Sequence, residues 1–154
     1  MKLEVQWIGD PKLDWREYMF TRKTPGSSGW DVFAHTGVVR LKPGERTVIK
    51  TGWKVKIPKG YELQLRTRSG MAFKYGLAVL NSPGTIDQDY QGEVMVIVIN
   101  HSQEIQIIRD KMAIAQAVLA PVELCDCIAI ADEPLFEVET NRSEGGLGST
   151  GDYR

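Results

Sequence analysis

Alternation with a period of two governs this chain. In Trp53-Lys54-Val55-Lys56-Ile57 and Tyr61-Glu62-Leu63-Gln64-Leu65-Arg66, apolar and polar side chains change places residue by residue. Successive side chains of an extended strand point to opposite faces, so the pattern buries one face of a sheet and wets the other. Turn chemistry interrupts it at short intervals, at Pro25-Gly26, Lys42-Pro43-Gly44-Glu45, Pro58-Lys59-Gly60, Ser82-Pro83-Gly84 and Glu133-Pro134. Many short strands closed by regular turns predict an all-β chain folded as a sandwich, barrel or jelly roll. One short helix is expected, over Ser69–Tyr75, with Ser69 as its N-cap and Gly76 as its stop. The run Val94-Met95-Val96-Ile97-Val98-Ile99 is apolar at every position and needs cover on both faces. A second sheet on one side and another subunit on the other are expected to supply it.

The 154 residues fit one domain, and a domain of this size buries roughly two-thirds of its unfolded-chain surface. Its 19 Lys and Arg balance 20 Asp and Glu, so no bulk positive field gathers nucleic acid or an anionic membrane. An anion must be held at a local site. The longest apolar run is far too short for a secretory signal or a membrane span, and a cytoplasmic location is expected. Cys125, Cys127, His35 and His101 make no ready zinc set, and the thiols read as structural or incidental. Residues 1–140 form the expected β-rich domain. Residues 141–154, Asn-Arg-Ser-Glu-Gly-Gly-Leu-Gly-Ser-Thr-Gly-Asp-Tyr-Arg, form a glycine-rich arm expected to be flexible.

Chemistry is densest in Asn81-Ser82-Pro83-Gly84-Thr85-Ile86-Asp87-Gln88-Asp89-Tyr90-Gln91-Gly92-Glu93. A carboxamide, several carboxylates and an aromatic ring crowd around Gly84 and Gly92. In isolation the stretch also reads as an ordinary hairpin with solvated acids. Upstream, Arg68-Ser69-Gly70 puts a guanidinium and a hydroxyl at the expected helix start, where free amides favour phosphate. Asp31 follows Gly29 and Trp30 at the start of a strand-like segment. These residues by themselves define a β-rich oligomer with a local anion site.

Five segments resemble, in order and spacing, the motifs of the trimeric dUTP pyrophosphatases (dUTPases). They are Ser28-Gly29-Trp30-Asp31-Val32, Arg68-Ser69-Gly70-Met71-Ala72, Gly84-Thr85-Ile86-Asp87-Gln88-Asp89-Tyr90-Gln91-Gly92-Glu93, Ile114-Ala115-Gln116, and Arg142-Ser143-Glu144-Gly145-Gly146-Leu147-Gly148-Ser149-Thr150-Gly151. The third and fifth are the specific ones. The resemblance spans residues 29–151 and implies a jelly-roll subunit of a homotrimer with sites shared between subunits. It also implies hydrolysis of dUTP to dUMP and pyrophosphate with Mg²⁺, and neither a nucleic-acid nor a membrane partner. Asp87 matches the base that activates the attacking water. Tyr90 matches the ring on the deoxyribose, which leaves no room for a 2′-hydroxyl. Asn81 and the backbone of Gly84, Thr85 and Ile86 match the reader of the uracil edge. Arg68, Ser69, Gly70, Gln116, Arg142, Gly148, Ser149 and Thr150 match phosphate contacts. Asp31 matches the acid that holds, through water, a Mg²⁺ chelated by the phosphates.

The chain departs from the family pattern at three places. The fourth motif's usual basic residue is Ala113, and Lys111, two positions earlier with the same strand parity, is expected to supply the charge. The usual proline before Arg68 is Thr67, a change expected to alter backbone stiffness more than chemistry. The fifth motif's usual aromatic is Leu147. Two other functions share features of the pattern. A dCTP deaminase would need a glutamate where Ile97 stands, and a regulatory or binding protein on the same scaffold would have no use for Asp87. A P-loop is absent, because no lysine precedes the Ser149-Thr150 pair. Leucine covers a base by dispersion but lacks a flat π-face, and stacking on a ring is worth about 1–3 kcal/mol per base. Leu147→Phe is therefore expected to lower the Michaelis constant for dUTP, measured by pyrophosphate release; a rise would show that the arm does not lie over the base.

Overall fold

The structure, a computed structural model, describes residues 2–125, 128, 130–135, 138 and 140. They fall into two units, Met1–Glu123 and Leu124–Arg154. The described residues of the second unit carry no helix or strand. In the first unit the expected alternation becomes strands β1 (Glu4–Trp7), β2 (Trp30–Phe33), β3 (Val39–Leu41), β4 (Arg46–Lys50), β5 (Trp53–Lys56) and β6 (Tyr61–Arg66). After helix α1 (Ser69–Tyr75) come β7 (Leu77–Val79), β8 (Gly84–Ile86), β9 (Met95–Asn100), β10 (Gln106–Ile108) and β11 (Ala113–Pro121).

The strands form a four-stranded sheet in the order β2-β11-β6-β8, a three-stranded sheet β4-β9-β7, and two ribbons, β1-β5 and β10-β3. Every pairing is antiparallel. Strands adjacent in sequence cross between sheets, which gives a jelly-roll-like sandwich rather than a meander. The stretch from Asn81 to Glu93 is consequently not a hairpin. Its first strand, β8, pairs with β6, while the strand that follows, β9, pairs with β4 and β7.

Alternation decides what faces inward. Leu63 and Leu65 of β6, Trp53 and Val55 of β5, and Val96 and Val98 of β9 are buried, while Lys56 and Arg66 stay outside. Each such side chain, fully buried, contributes about 1.5–3 kcal/mol of transfer free energy. The outward face of β9 is half covered: Met95 is exposed and Ile97 and Ile99 are intermediate, beside an exposed Val48 on β4. Strand β11 breaks the period at one point. A bulge between Ala113 and Ala115 in its pairing with β2 leaves both Ile114 and Ala115 buried, after which Gln116 points away from the core and Ala117 into it.

Buried side-chain polar atoms are all partnered among the described residues. Asn100, fully buried, donates from Nδ2 to the carbonyls of Leu41 (2.9 Å) and Glu104 (2.8 Å) and accepts from the backbone N–H of Ser102 (2.9 Å). It ties the end of β9 to β3 and to the turn before β10. Helix α1 has the predicted span and the predicted stop, Gly76 at φ 61° with its N–H on the Ala72 carbonyl. Its predicted N-cap is corrected. Ser69 is already the first helical residue, so its hydroxyl cannot take the cap's place, and extended Arg68 (φ −83°, ψ 135°) stands there with no side-chain cap bond.

Under β1 and β5 lies an aromatic layer of Trp7, Tyr18, His35 and Trp53, with ring centroids 5.1–5.3 Å apart. Tyr18 is fully buried, donates to Asp110 Oδ2 at 2.5 Å, and accepts the Trp53 indole N–H on its backbone carbonyl at 2.9 Å. Burial, and then the Asp110 carboxylate, push the phenol well above its ordinary value of 10.0. A group whose acid form is favoured by folding stabilises the fold fully below its unfolded pKa and loses that stabilisation as pH rises beyond it. Tyr18→Phe is expected to cost about 1 kcal/mol in urea unfolding at neutral pH. The wild type should lose stability more steeply than Tyr18→Phe as pH rises above about 10; parallel profiles would remove Tyr18 as the titrating group.

Candidate active site

Strand β8 is short because Asn81-Ser82-Pro83-Gly84 turns the chain into it and Asp87 begins the crossing to the other sheet. Its register on β6 sets Gly84 opposite Leu65 and Ile86 opposite Leu63. Leu65, Ile86, Ile97, Val48 and Met95 give an apolar lining to a cavity of about 280 Å³, and Asn81, Thr85, Asp87, Tyr90 and Glu93 complete it. Ligand cavities run from about 300 to 1,000 Å³, with an apolar lining and a few polar readers. This one, near the lower end of that range, has room for a nucleoside-sized group.

Both glycines of this stretch sit in close approach, Gly92 far more tightly than Gly84. A Cβ on Gly84 would stand 3.3 Å from Nδ2 and 3.5 Å from Oδ1 of Asn81, so the bare glycine lets the carboxamide lie against the strand. A Cβ on Gly92 would fall 2.3 Å from the Tyr90 hydroxyl oxygen and 2.4 Å from Cζ. The Tyr90 hydroxyl donates to the Glu93 carbonyl at 3.0 Å, which holds the ring over the turn.

The polar side chains of the turn divide by what they touch. Glu93 Oε1 accepts the Gly52 N–H at 2.8 Å and is spent on joining this loop to the turn before β5. Gln88 Oε1 accepts the Gly60 N–H at 3.3 Å and ties the other side. Asp89 lines a neighbouring groove with Glu4 and Lys54. Asp87 alone places in the cavity an exposed carboxylate that has no hydrogen-bond or ion-pair partner among the described residues.

A second group forms where β11 is paired on both sides. Gln116 stands opposite Asp31 of β2 and opposite Arg66 of β6. Its Nε2 donates to the Thr67 carbonyl at 3.1 Å and steadies the backbone entering Arg68. Arg68 meets the buried Asp31 in a two-pronged contact, Nε to Oδ1 at 2.9 Å and Nη2 to Oδ2 at 3.3 Å, and donates from Nη1 to the Ala113 carbonyl at 2.9 Å. Planar guanidinium and carboxylate match in this geometry, which holds both rigidly. Ser69 and Gly70 are exposed beside them at the start of α1.

The structure therefore gathers Asn81, Gly84, Thr85, Ile86, Asp87 and Tyr90 around one cavity, and Asp31, Arg68 and Gln116 into another cluster, with none of the second set lining the cavity. Arg142, Leu147, Gly148, Ser149 and Thr150 lie outside the described residues. Among the described residues no three His, Cys, Asp or Glu side chains form a metal cage. Lys111 does not follow the sequence expectation. It sits in a turn before β11 at φ 62°, outside the strand whose parity was to aim it, and pairs with Glu17, which raises its pKa. Thr67 does more than stiffen the chain. Its hydroxyl oxygen accepts the Val79 N–H at 2.9 Å, so it latches the Arg68 loop to β7. Sequence reading had no signal for this, because the partner lies on another strand.

A β sandwich with a nucleoside-sized cavity, polar readers at its rim and an Arg-centred cluster on the adjoining strands belongs among nucleotide-binding proteins. Comparison with known proteins makes the class specific. The dUTPase family model matches residues 16–151. Over 129 residues the chain is 51% identical to the deoxyuridine 5'-triphosphate nucleotidohydrolase of Chlamydia pneumoniae, covering 83% of this chain and 87% of that one. It is 44% identical to the protein of the same name from Nautilia profundicola, over 98% and 99% of the two chains. Its fold matches the Staphylococcus bacteriophage 80alpha dUTPase with dUPNHPP at a TM-score of 0.78 and 26% identity, over 97% and 98% of the chains. A mutant dUTPase from phage phi11 of S. aureus, solved with a structural Mg(II) ion, matches at 0.73 and 25% identity, over 88% and 100%. The chain belongs to the dUTPase family.

Because Gly92 leaves no space for a methyl, Gly92→Ala is expected to push the Tyr90 ring from its place. The ring-proton shifts of Tyr90 in an NMR spectrum report this; unchanged shifts would mean that the backbone absorbs the methyl and that Gly92 is not what seats the ring.

Proposed function

We infer that this chain is a dUTP pyrophosphatase, converting dUTP and water to dUMP and pyrophosphate in the cytoplasm, where nucleotide pools are used. The observation that carries the reading is the free carboxylate of Asp87 in the same cavity as Asn81 and Tyr90. Asp87 takes a proton from a water whose oxygen bonds to the α-phosphorus, and the bond from that phosphorus to the oxygen bridging toward the β-phosphate breaks. The electron pair leaves with pyrophosphate. A positioned base of this kind contributes about 10²–10⁴-fold.

Recognition follows from the cavity's chemistry. The Asn81 carboxamide offers one donor and one acceptor edge to uracil's imide and carbonyl, with the backbone of Gly84, Thr85 and Ile86 beside it. Cytosine presents a different pattern and would leave buried polar groups unpaired. The Tyr90 ring, seated over Gly92, closes the space a 2′-hydroxyl would need. Arg68, Ser69, Gly70 and Gln116 serve the phosphates, joined by Arg142, Gly148, Ser149 and Thr150 from the arm, with Leu147 over the base.

The donor set fits Mg²⁺ carried by the triphosphate. Asp31 has its oxygens on Arg68, and each carboxylate oxygen keeps a second acceptor position for a metal-bound water. When bound, Mg²⁺ neutralises phosphate charge. A homotrimer is part of the proposal. The separation of the cavity from the Arg68 cluster supports sites completed between copies, and the half-covered outer face of β9, whose Met95 and Ile97 line the cavity with Val48, supports a subunit contact beside that cavity.

A nucleotide panel tests the reading. With Mg²⁺, pyrophosphate release is expected from dUTP and not from dCTP, dTTP or UTP, and Asp87→Asn should slow it by about 10²–10⁴-fold. Turnover of UTP equal to that of dUTP would remove the role given to Tyr90; a fully active Asp87→Asn would remove the base.

A further inference from the structure

Charge accounting at the Arg68 cluster exposes a gap. Arg68 is bound on two prongs by Asp31, so the pair is neutral as a unit and attracts an anion weakly. Ala113 contributes only its carbonyl oxygen, and Lys111 lies in the turn before β11, paired with Glu17. Among the described residues one further cation reaches this carboxylate. Lys23 Nζ lies 3.9 Å from Asp31 Oδ2, the oxygen that also faces Arg68 Nη2, and the lysine side chain is 75% exposed.

Local structure explains why a lysine from a loop is held at this spot. Thr21 pairs with Asp31 as an isolated antiparallel bridge, with the Asp31 N–H donating to the Thr21 carbonyl at 2.7 Å and the Thr21 N–H donating back at 3.4 Å. Arg22 stacks its guanidinium over the Trp30 ring, 4.0 Å from the centroid, and is committed there. The backbone on one side of Lys23 is thus pinned to β2 while its ammonium stays in solvent. With its nitrogen 3.9 Å from a carboxylate already held by Arg68 and its side chain 75% exposed, the ammonium is held loosely and can turn toward a better anion.

We propose that Lys23 is a phosphate-binding residue of this site, supplying the net positive charge that the neutral Arg68–Asp31 pair lacks. The assignment rests on the dUTP reading above and adds to it a residue that lies outside the five motif segments. An ammonium acts on phosphate as a compact point charge with three donors, so it tolerates the approximate aim of a loop in a way that a guanidinium fork does not.

Binding of the non-hydrolysable triphosphate dUpNHpp and of deoxyuridine, which has no phosphate, tests the proposal on the full chain with Mg²⁺. Lys23→Ala is expected to weaken dUpNHpp by about fivefold to tenfold, the size of one charge-assisted contact at a solvated position. Lys23→Arg should keep most of the affinity, and both variants should bind deoxyuridine as the wild type does. Unchanged dUpNHpp affinity in Lys23→Ala would overturn the assignment while leaving the dUTP reading intact. An equal loss for deoxyuridine would also overturn it, since Lys23 would then be acting through the fold. A wild type that neither binds dUpNHpp nor hydrolyses dUTP would overturn the dUTP reading and this assignment with it.

Discussion

The double pairing of β11 is the constraint on which the rest depends. One nine-residue strand is hydrogen-bonded to β2 on one edge and to β6 on the other, so a single register sets the relative positions of three segments far apart in sequence. Past its one bulge the side chains alternate between faces, and a slip of one residue would turn Gln116 inward and Ala117 outward. The bulge between Ala113 and Ala115 is where that register is adjusted. It allows Ile114 and Ala115 to be buried in succession, and it leaves the Ala113 carbonyl turned to the Arg68 guanidinium.

From that register follow the electrostatics of the Arg68 cluster. Pulling a carboxylate into an 8%-exposed position is costly unless a cation comes with it, and Arg68 comes with it in fork geometry. Such a pair orients more than it stabilises. It fixes where the guanidinium edge points, and it explains why Arg68 rather than Ser69 occupies the cap position of α1 without capping it. The turn after β8 shows the same division of labour in its acids. Glu93 is used to build, and Asp87 is left free.

Much of this was legible in residue order. Alternation located β5 and β6 nearly to the residue, and the Gly76 stop located the end of α1, because both signals arise from backbone sterics and local periodicity. The residues around Asp87, taken alone, read equally as a hairpin with solvated acids, and it was their place among five motif segments that marked them as a candidate site. Other features were not. Thr67 read as a neutral replacement, yet it latches onto Val79, and Lys111 read as a motif substitute, yet its φ of 62° and its Glu17 partner take it elsewhere. Both have one source: parity and proximity along the chain say nothing about a partner distant in sequence, Val79 for Thr67 and Glu17 for Lys111.

By itself, then, the sequence determined the local periods, the turns, the helix span and the inventory of reactive groups, since each depends on a few neighbouring residues. Only the tertiary structure decided which groups meet. It placed Asp31 against Arg68 and Lys23, separated that cluster from the cavity of Asn81, Asp87 and Tyr90, and sent β8 and β9 into different sheets instead of a hairpin. The physical reason is that strand order and register are chosen by the burial of whole faces at once, a sum over residues distant in sequence that no short segment contains.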